Sequence, residues 1–226
     1  GIADQLISEW IDDGEVDLLN RLCVPLPIYV IADQLGVPRS ELALLKKWSD
    51  ASTSRLGRLA DEEQQIQNAK DIVEFQHYFA DLIDRMRDHP EDNIISDLAN
   101  NTIDEGRLLT KAEALGMIQQ ILVAGNETST NAIAGGVVLL IQNPEEQAKL
   151  RANPDLIPTA VEEILRLETP TSGMWRRATQ DTEIDGVAIP EGSFLMVRFA
   201  AGNRDESVFP CAGAMQVDRE NADNHM

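Results

Sequence analysis

Hydrophobic positions recur along this chain mostly at helical spacing, and they are densest over residues 114–141. That stretch carries one formal charge, Glu127, near its middle. Thr110 and Glu113 precede it as a T-x-x-E capping box, which satisfies orphan backbone donors at a helix start. Asn143-Pro144 follows and stops a helix, because proline lacks the N–H and crowds the preceding turn. The pattern predicts a helix of roughly 42 Å at about 1.5 Å per residue, apolar nearly all round and running through the middle of a domain. Gln119, Gln120, Asn126, Glu127 and Asn131, with no flanking basic cluster, argue against a membrane span. The polar interruption at 124–128 marks where this helix should meet chemistry.

The rest of the pattern divides into two regimes. Ile2, Leu6, Ile7, Trp10 and Ile11 line one face of a predicted helix over 1–13, closed by Gly14, with a connector or strand at 16–19. An apolar helix over 28–35 ends in Gly36 and Pro38, the usual stop signals. Further helices are predicted at 40–49, 61–88, 93–100, 144–152 and 157–167. Residues 51–59, small and polar, read as a loop or a mobile helix end, and 100–107 as a turn. From Gly173 onward the period shortens. Strands are predicted at 175–179, 182–184, 187–189 and 194–199, with an Asp185-Gly186 hairpin signal and a Pro190-Glu191-Gly192 turn. One helical turn is predicted at 203–207. The expectation is a mainly α fold, a single domain over 1–226 that is helical over 1–172 and has short strands and irregular chain over 173–226.

Composition narrows the function classes. With 39 Asp+Glu against 19 Lys+Arg, the net charge of −20 argues against nucleic acid and against anionic membrane surfaces. Aromatics are only 4% of the chain, so aliphatic packing must build the core. Cys23 and Cys211 are too few and too far apart for a disulfide framework, and Cys23 reads as a small buried hydrophobe. Residues 1–11 are acidic and lack the basic start of a signal peptide, which makes a reducing cytoplasm the expected location. His77 and His89 have no second histidine or cysteine at ligand spacing, so no metal site is predicted from them.

Single motifs carry little. Glu163 and Arg166 could be an i, i+3 surface pair, Arg177 a solvated edge residue, and the notch at 124–128 an accidental acidic residue in a helix. In this order they carry much more. Ala124-Gly125-Asn126-Glu127-Thr128 matches [AG]-G-x-[DE]-T, and Glu163–Arg166 matches E-x-x-R. Arg177-Ala178-Thr179 followed by Gly186–Gly192, and Asn203-Arg204-Asp205 leading to Phe209-Pro210, complete the set. With these motifs in register the chain resembles the cytochrome P-450 haem-thiolate monooxygenases, most closely the soluble bacterial ones, along essentially its whole length.

The resemblance implies a helical core around a haem, with a proton supply to dioxygen inside an apolar pocket. Small Ala124 and Gly125 would let cofactor and oxygen approach the helix backbone. Thr128 would hydrogen-bond oxygen or a water, or bond back to a carbonyl and open a kink. Glu127 would be the ionisable member of the relay. Arg177 would hold a haem propionate. Val123, Gly173, Met174 and Trp175 would line the substrate pocket. Glu163 and Arg166 would be a structural lock, with Arg219 a candidate third partner where bacterial members often carry an arginine at the position of Ala214.

A small hydrophobic substrate and a ferredoxin-type electron donor are the implied partners of a full-length member. The resemblance also implies a chain truncated at both ends. It ends at Asn224-His225-Met226, where the glycine-rich loop bearing the cysteine ligand should begin, and roughly a hundred residues of a typical domain are missing before Gly1. The expectation is therefore a monooxygenase fragment, inactive and without bound haem on its own. The alternative is a haem-free helical remnant that self-associates through apolar surface left uncovered.

Overall fold

The computed structural model of the chain describes residues 1–57, 61–103 and 106–226. The helices are α1 (Ile2–Ser8), α2 (Pro25–Leu35), α3 (Leu42–Gly57), α4 (Glu62–Asp88), α5 (Ile94–Asn100), α6 (Lys111–Gln142), α7 (Pro144–Ala152), α8 (Ile157–Glu168) and the short α9 (Phe199–Gly202). Between α8 and α9 run β1 (Met174–Arg177), β2 (Thr182–Ile184), β3 (Val187–Ile189) and β4 (Phe194–Val197). The fold is mainly α with a small β section, as the periodicity predicts. The chain forms two compact units, Gly1–Thr130 and Asn131–Met226, and α6 contributes to both.

The first unit is built on α2 to α5 and the start of α6. Trp48 on α3 meets the rings of Phe75 and Phe79 on α4 with centroids 5.9 Å away in each case, and Phe75 and Phe79 lie 4.7 Å apart. Ile31, Leu35, Ile83, Ile95, Ile118 and Leu122 extend this core. The N-cap chemistry is local. Asp61 accepts from the Gln64 N–H at 2.8 Å to start α4, and Asn93 accepts from the Ser96 N–H at 2.8 Å to start α5. At α6 the capping box forms as written: the Thr110 N–H donates to Glu113 at 2.8 Å and the Glu113 N–H donates to Thr110 Oγ1 at 3.2 Å.

One expectation is corrected here and two open ones are decided. The first helix stops at Ser8 rather than continuing to residue 13, and looser turns follow. Acidic Asp12 and Asp13 would sit at the negative end of the longer helix dipole. Of the connector and strand readings of 16–19, no strand forms, and a π-helical turn, Leu19–Cys23, leads into Pro25. Of the two readings of 51–59, a loop or a helix end, residues 51–57 take the second as the end of α3, where tertiary contacts support their weak propensity. Ser52 accepts from Gln119 at 3.1 Å and Ser54 from Asn68 at 3.0 Å. Residues 58 and 59 of that predicted loop, and 104 and 105 of the predicted turn, lie outside the described residues.

In the second unit α8 packs on the end of α6. Glycine makes this approach possible: a Cβ at Gly136 would lie 2.9 Å from Ile164 Cγ2. The strands form two antiparallel pairs, β1 with β4 and β2 with β3. Asp185 and Gly186 both take positive φ, 49° and 78°, as a type I′ hairpin requires. The helical turn expected at 203–207 lies earlier, at Phe199–Gly202, and Asp205 instead closes a turn by accepting from the Ser207 N–H at 2.8 Å.

Candidate functional site

The polar notch sits in unbroken helix. Ala124 and Glu127 are exposed, Gly125 and Thr128 half-buried, and Asn126 buried. Thr128 Oγ1 donates to the Ala124 carbonyl at 2.6 Å, so its proton is committed to the backbone and its outward lone pair is an acceptor. The helix does not break at this bond. Glu127 makes no ion pair or hydrogen bond with any described residue. Gly125 has a packing reason as well: a Cβ there would stand 3.1 Å from Ile31 Cδ1 on α2. Val123, half-buried, lies one residue before Ala124.

The register of β1 and β4 sets a second group. Trp175 pairs with Met196 and Arg177 with Phe194, so these four side chains share one face of the ribbon. The Arg177 guanidinium lies 5.9 Å from the Phe194 ring centroid and finds no carboxylate at ion-pair distance among the described residues. Trp175 and Phe194 are each 58% exposed. The result is an apolar platform with a cation at its end that no described carboxylate pairs. Met174 lies on the opposite face, paired with Val197. Gly173 is pressed against β4, where a Cβ would come within 2.5 Å of the Val197 carbonyl oxygen.

Glu163 and Arg166 are not a surface pair. Both are completely buried, and Arg166 Nε and Nη2 hold the carboxylate at 2.7 and 2.9 Å. Arg219 joins them, its Nε 3.0 Å from both Glu163 oxygens. The Gln216 N–H adds a fifth contact at 3.0 Å. The remaining arginine donors take carbonyls of the irregular segment: Arg166 bonds Asn203, Ala212 and Ala214, and Arg219 bonds Pro210, Cys211 and Ala214. The knot thus fastens residues 203–219 to α8. Asn203, fully buried, extends it by donating to Thr169 Oγ1 at 3.0 Å. Its importance follows from burial, which the N-R-D motif alone does not reveal.

A haem would need a partner for its propionates and an axial ligand. Arg177 fits the first requirement. Neither cysteine supplies the second: the Cys23 thiol is buried, and burial pushes its pKa up, while Cys211 lies exposed on a positive-φ turn held by Arg219. Among the described residues no group of His, Cys, Asp and Glu could hold a metal ion, and no helix is long and apolar enough to cross a membrane.

A helix with a polar notch, a buried Glu–Arg–Arg knot and a two-stranded ribbon carrying Arg177 accord with the class suggested by the motifs, the helical haem monooxygenases. The family model for cytochrome P450 matches residues 41–219, and the chain belongs to that family. The cytochrome P450 monooxygenase PikC of Streptomyces venezuelae is 35% identical over 98% of this chain and 51% of its own length. The vitamin D(3) 25-hydroxylase of Pseudonocardia autotrophica is 33% identical over 97% of this chain and 52% of its own. Among solved structures, the Bacillus subtilis cytochrome P450 PksS superposes with a TM-score of 0.91 at 30% identity, covering 99% of this chain and 56% of that one. The chain spans about half the length of the curated relatives it matches.

Proposed function

We propose that this chain is part of a haem-dependent monooxygenase that hydroxylates a small hydrophobic substrate with electrons from a ferredoxin-type donor. The observation that carries this reading is the pair Glu127 and Thr128, side by side on a half-exposed turn of α6 within the family motif, the first without a described partner and the second with its hydroxyl donating to Ala124 and its lone pair outward. The haem supplies oxygen activation. Glu127 takes and releases protons, Thr128 offers an acceptor to a water, and Ala124 and Gly125 keep the helix surface low. Arg177 holds a propionate. Val123, Gly173, Met174 and Trp175 shape the substrate side. The knot of Glu163, Arg166 and Arg219 does no chemistry and positions the irregular segment.

Because neither Cys23 nor Cys211 suits the axial position, the chain by itself is expected to show no thiolate-ligated haem and no turnover in the cytoplasm. Hemin titration followed by reduction and carbon monoxide tests this. Absence of a thiolate-type Soret shift is expected, and its appearance overturns the reading for this chain. If Arg177 holds a propionate, Arg177→Ala weakens whatever hemin binding remains.

A second reading, a haem-free chain that self-associates, is favoured by one feature. A groove of about 210 Å³ between α6 and α8 is lined by apolar Ala132, Ile133, Val137, Leu140, Val161 and Ile164. Light scattering at micromolar concentration tests it, and a monomer counts against it.

A further inference from the structure

α6 is apolar nearly all round, so its hydrophobic pattern gives it little reason to present one face rather than another. Three polar contacts within the first unit break that symmetry. Gln119 Nε2 donates to Ser52 Oγ on α3 at 3.1 Å. Asn126 Nδ2 donates to Ser49 Oγ on α3 at 3.0 Å. Thr130 Oγ1 donates to the Cys23 carbonyl at the end of the π-helical turn, at 3.1 Å. Asn126 and Ser49 are 2% and 0% exposed, so the middle contact is made in a dry interior. It is also imperfect: Asn126 Oδ1 is buried and has no partner. Turning the amide over does not cure this, because a serine hydroxyl both donates and accepts and one amide atom stays unpaired either way.

A buried amide with one atom unpaired is a poor choice for stability and a good one for specificity. A single buried asparagine fixes register in coiled coils at a cost in stability by the same logic. We propose that Asn126–Ser49 and Thr130–Cys23 are register pins that set the rotation of α6 about its axis, and that Asn126, Ser49 and Thr130 are therefore positioning residues for the Ala124–Thr128 turn. Asn126 lies roughly 200° around the helix from both Ala124 and Thr128, so a pin on the buried side holds those two on the open side. Only the role of the presented face rests on the monooxygenase reading; the pinning does not.

The test reads helix rotation directly. Single cysteines are placed at exposed Ala124 and at buried Leu122 in a chain carrying Cys211→Ser, and their alkylation rates are compared in the pinned chain and in Ser49→Ala/Asn126→Leu. The double variant removes both polar groups and the orphaned oxygen, so thermal stability is expected to stay level or rise. The 124-to-122 rate ratio is expected to fall at least about tenfold, because the contact nearest the Ala124–Thr128 turn is lost and the two that remain, Gln119–Ser52 and Thr130–Cys23, act a turn or more away from Asn126 along an apolar helix. A purely structural role would move stability and leave the ratio alone. A ratio within about twofold of the parent chain overturns the proposal. Should the double variant not fold, the near-isosteric Thr130→Val reads the same ratio: a fall supports the pins and no change overturns them. Retained monooxygenase-type chemistry or its absence does not enter this readout, so failure of the functional reading and failure of the pins are separable.

Discussion

Glu163→Gln is the sharpest perturbation of the second unit, because it keeps the side chain's shape and removes its charge. Glu163 is the carboxylate facing both buried guanidinium groups, and the substitution leaves Arg166 and Arg219 buried without a counter-charge among the described residues. Removing one partner of a buried ion pair costs about 3–5 kcal/mol, and a value near 4 is expected here because three residues share the loss. For a chain of this size about 1 kcal/mol moves the melting temperature by about 2–4 °C, so the midpoint should fall by about 8–16 °C.

Urea unfolding followed by far-UV circular dichroism, with the slope compared between variants, reads the stability change. Replacing all three residues by apolar ones is often neutral for an isolated buried pair. Here it should not be, since the carbonyls of Asn203, Pro210, Cys211, Ala212 and Ala214 depend on the two arginines. The triple variant is expected to stay destabilised by an amount comparable to Glu163→Gln. A loss below about 1 kcal/mol in Glu163→Gln, with an unchanged slope, would refute the view that this knot fastens the irregular segment to α8.

Other outcomes follow from single sites. The Glu113 carboxylate, held by Arg107 and by the backbone and hydroxyl of Thr110, has its pKa lowered from 4.5 to about 2. A lowered folded value means its stabilisation is present above pH 4.5 and is lost as pH falls toward 2. Amide exchange at the start of α6 should therefore speed up across that window in the parent chain and show no such window in Glu113→Gln. Gly173→Ala places a Cβ 2.5 Å from the Val197 carbonyl, a backbone atom that cannot swing away. It should cost about 1–3 kcal/mol and change the Trp175 environment seen by fluorescence, and an unchanged spectrum and melting point would contradict that geometry.

Much of this protein was legible in its residues. Periodicity located the helices, because an amphipathic or apolar run must bury its apolar face whatever surrounds it. The Thr110–Glu113 box, the Asp61 and Asn93 caps and the Asp185-Gly186 turn are local chemistry, complete within a few residues. The motif order pointed to cytochrome P450, and Glu163, Arg166 and Arg177 were picked out by it. What the residues could not announce was everything settled by partners distant along the chain. Between loop and helix end, the polar stretch at 51–57 is settled as helix by Gln119 and Asn68, which reach its serines. Arg219 was only a candidate third partner in the sequence, and it is burial that brings it to Glu163, 56 residues away. Asn126 looked like a free position inside a motif, yet it is the buried side of the helix. Local hydrogen bonds and hydrophobic period belong to the sequence. Which face of an apolar helix is shown, and which charges are buried together, are many-body outcomes that only the packed structure decides.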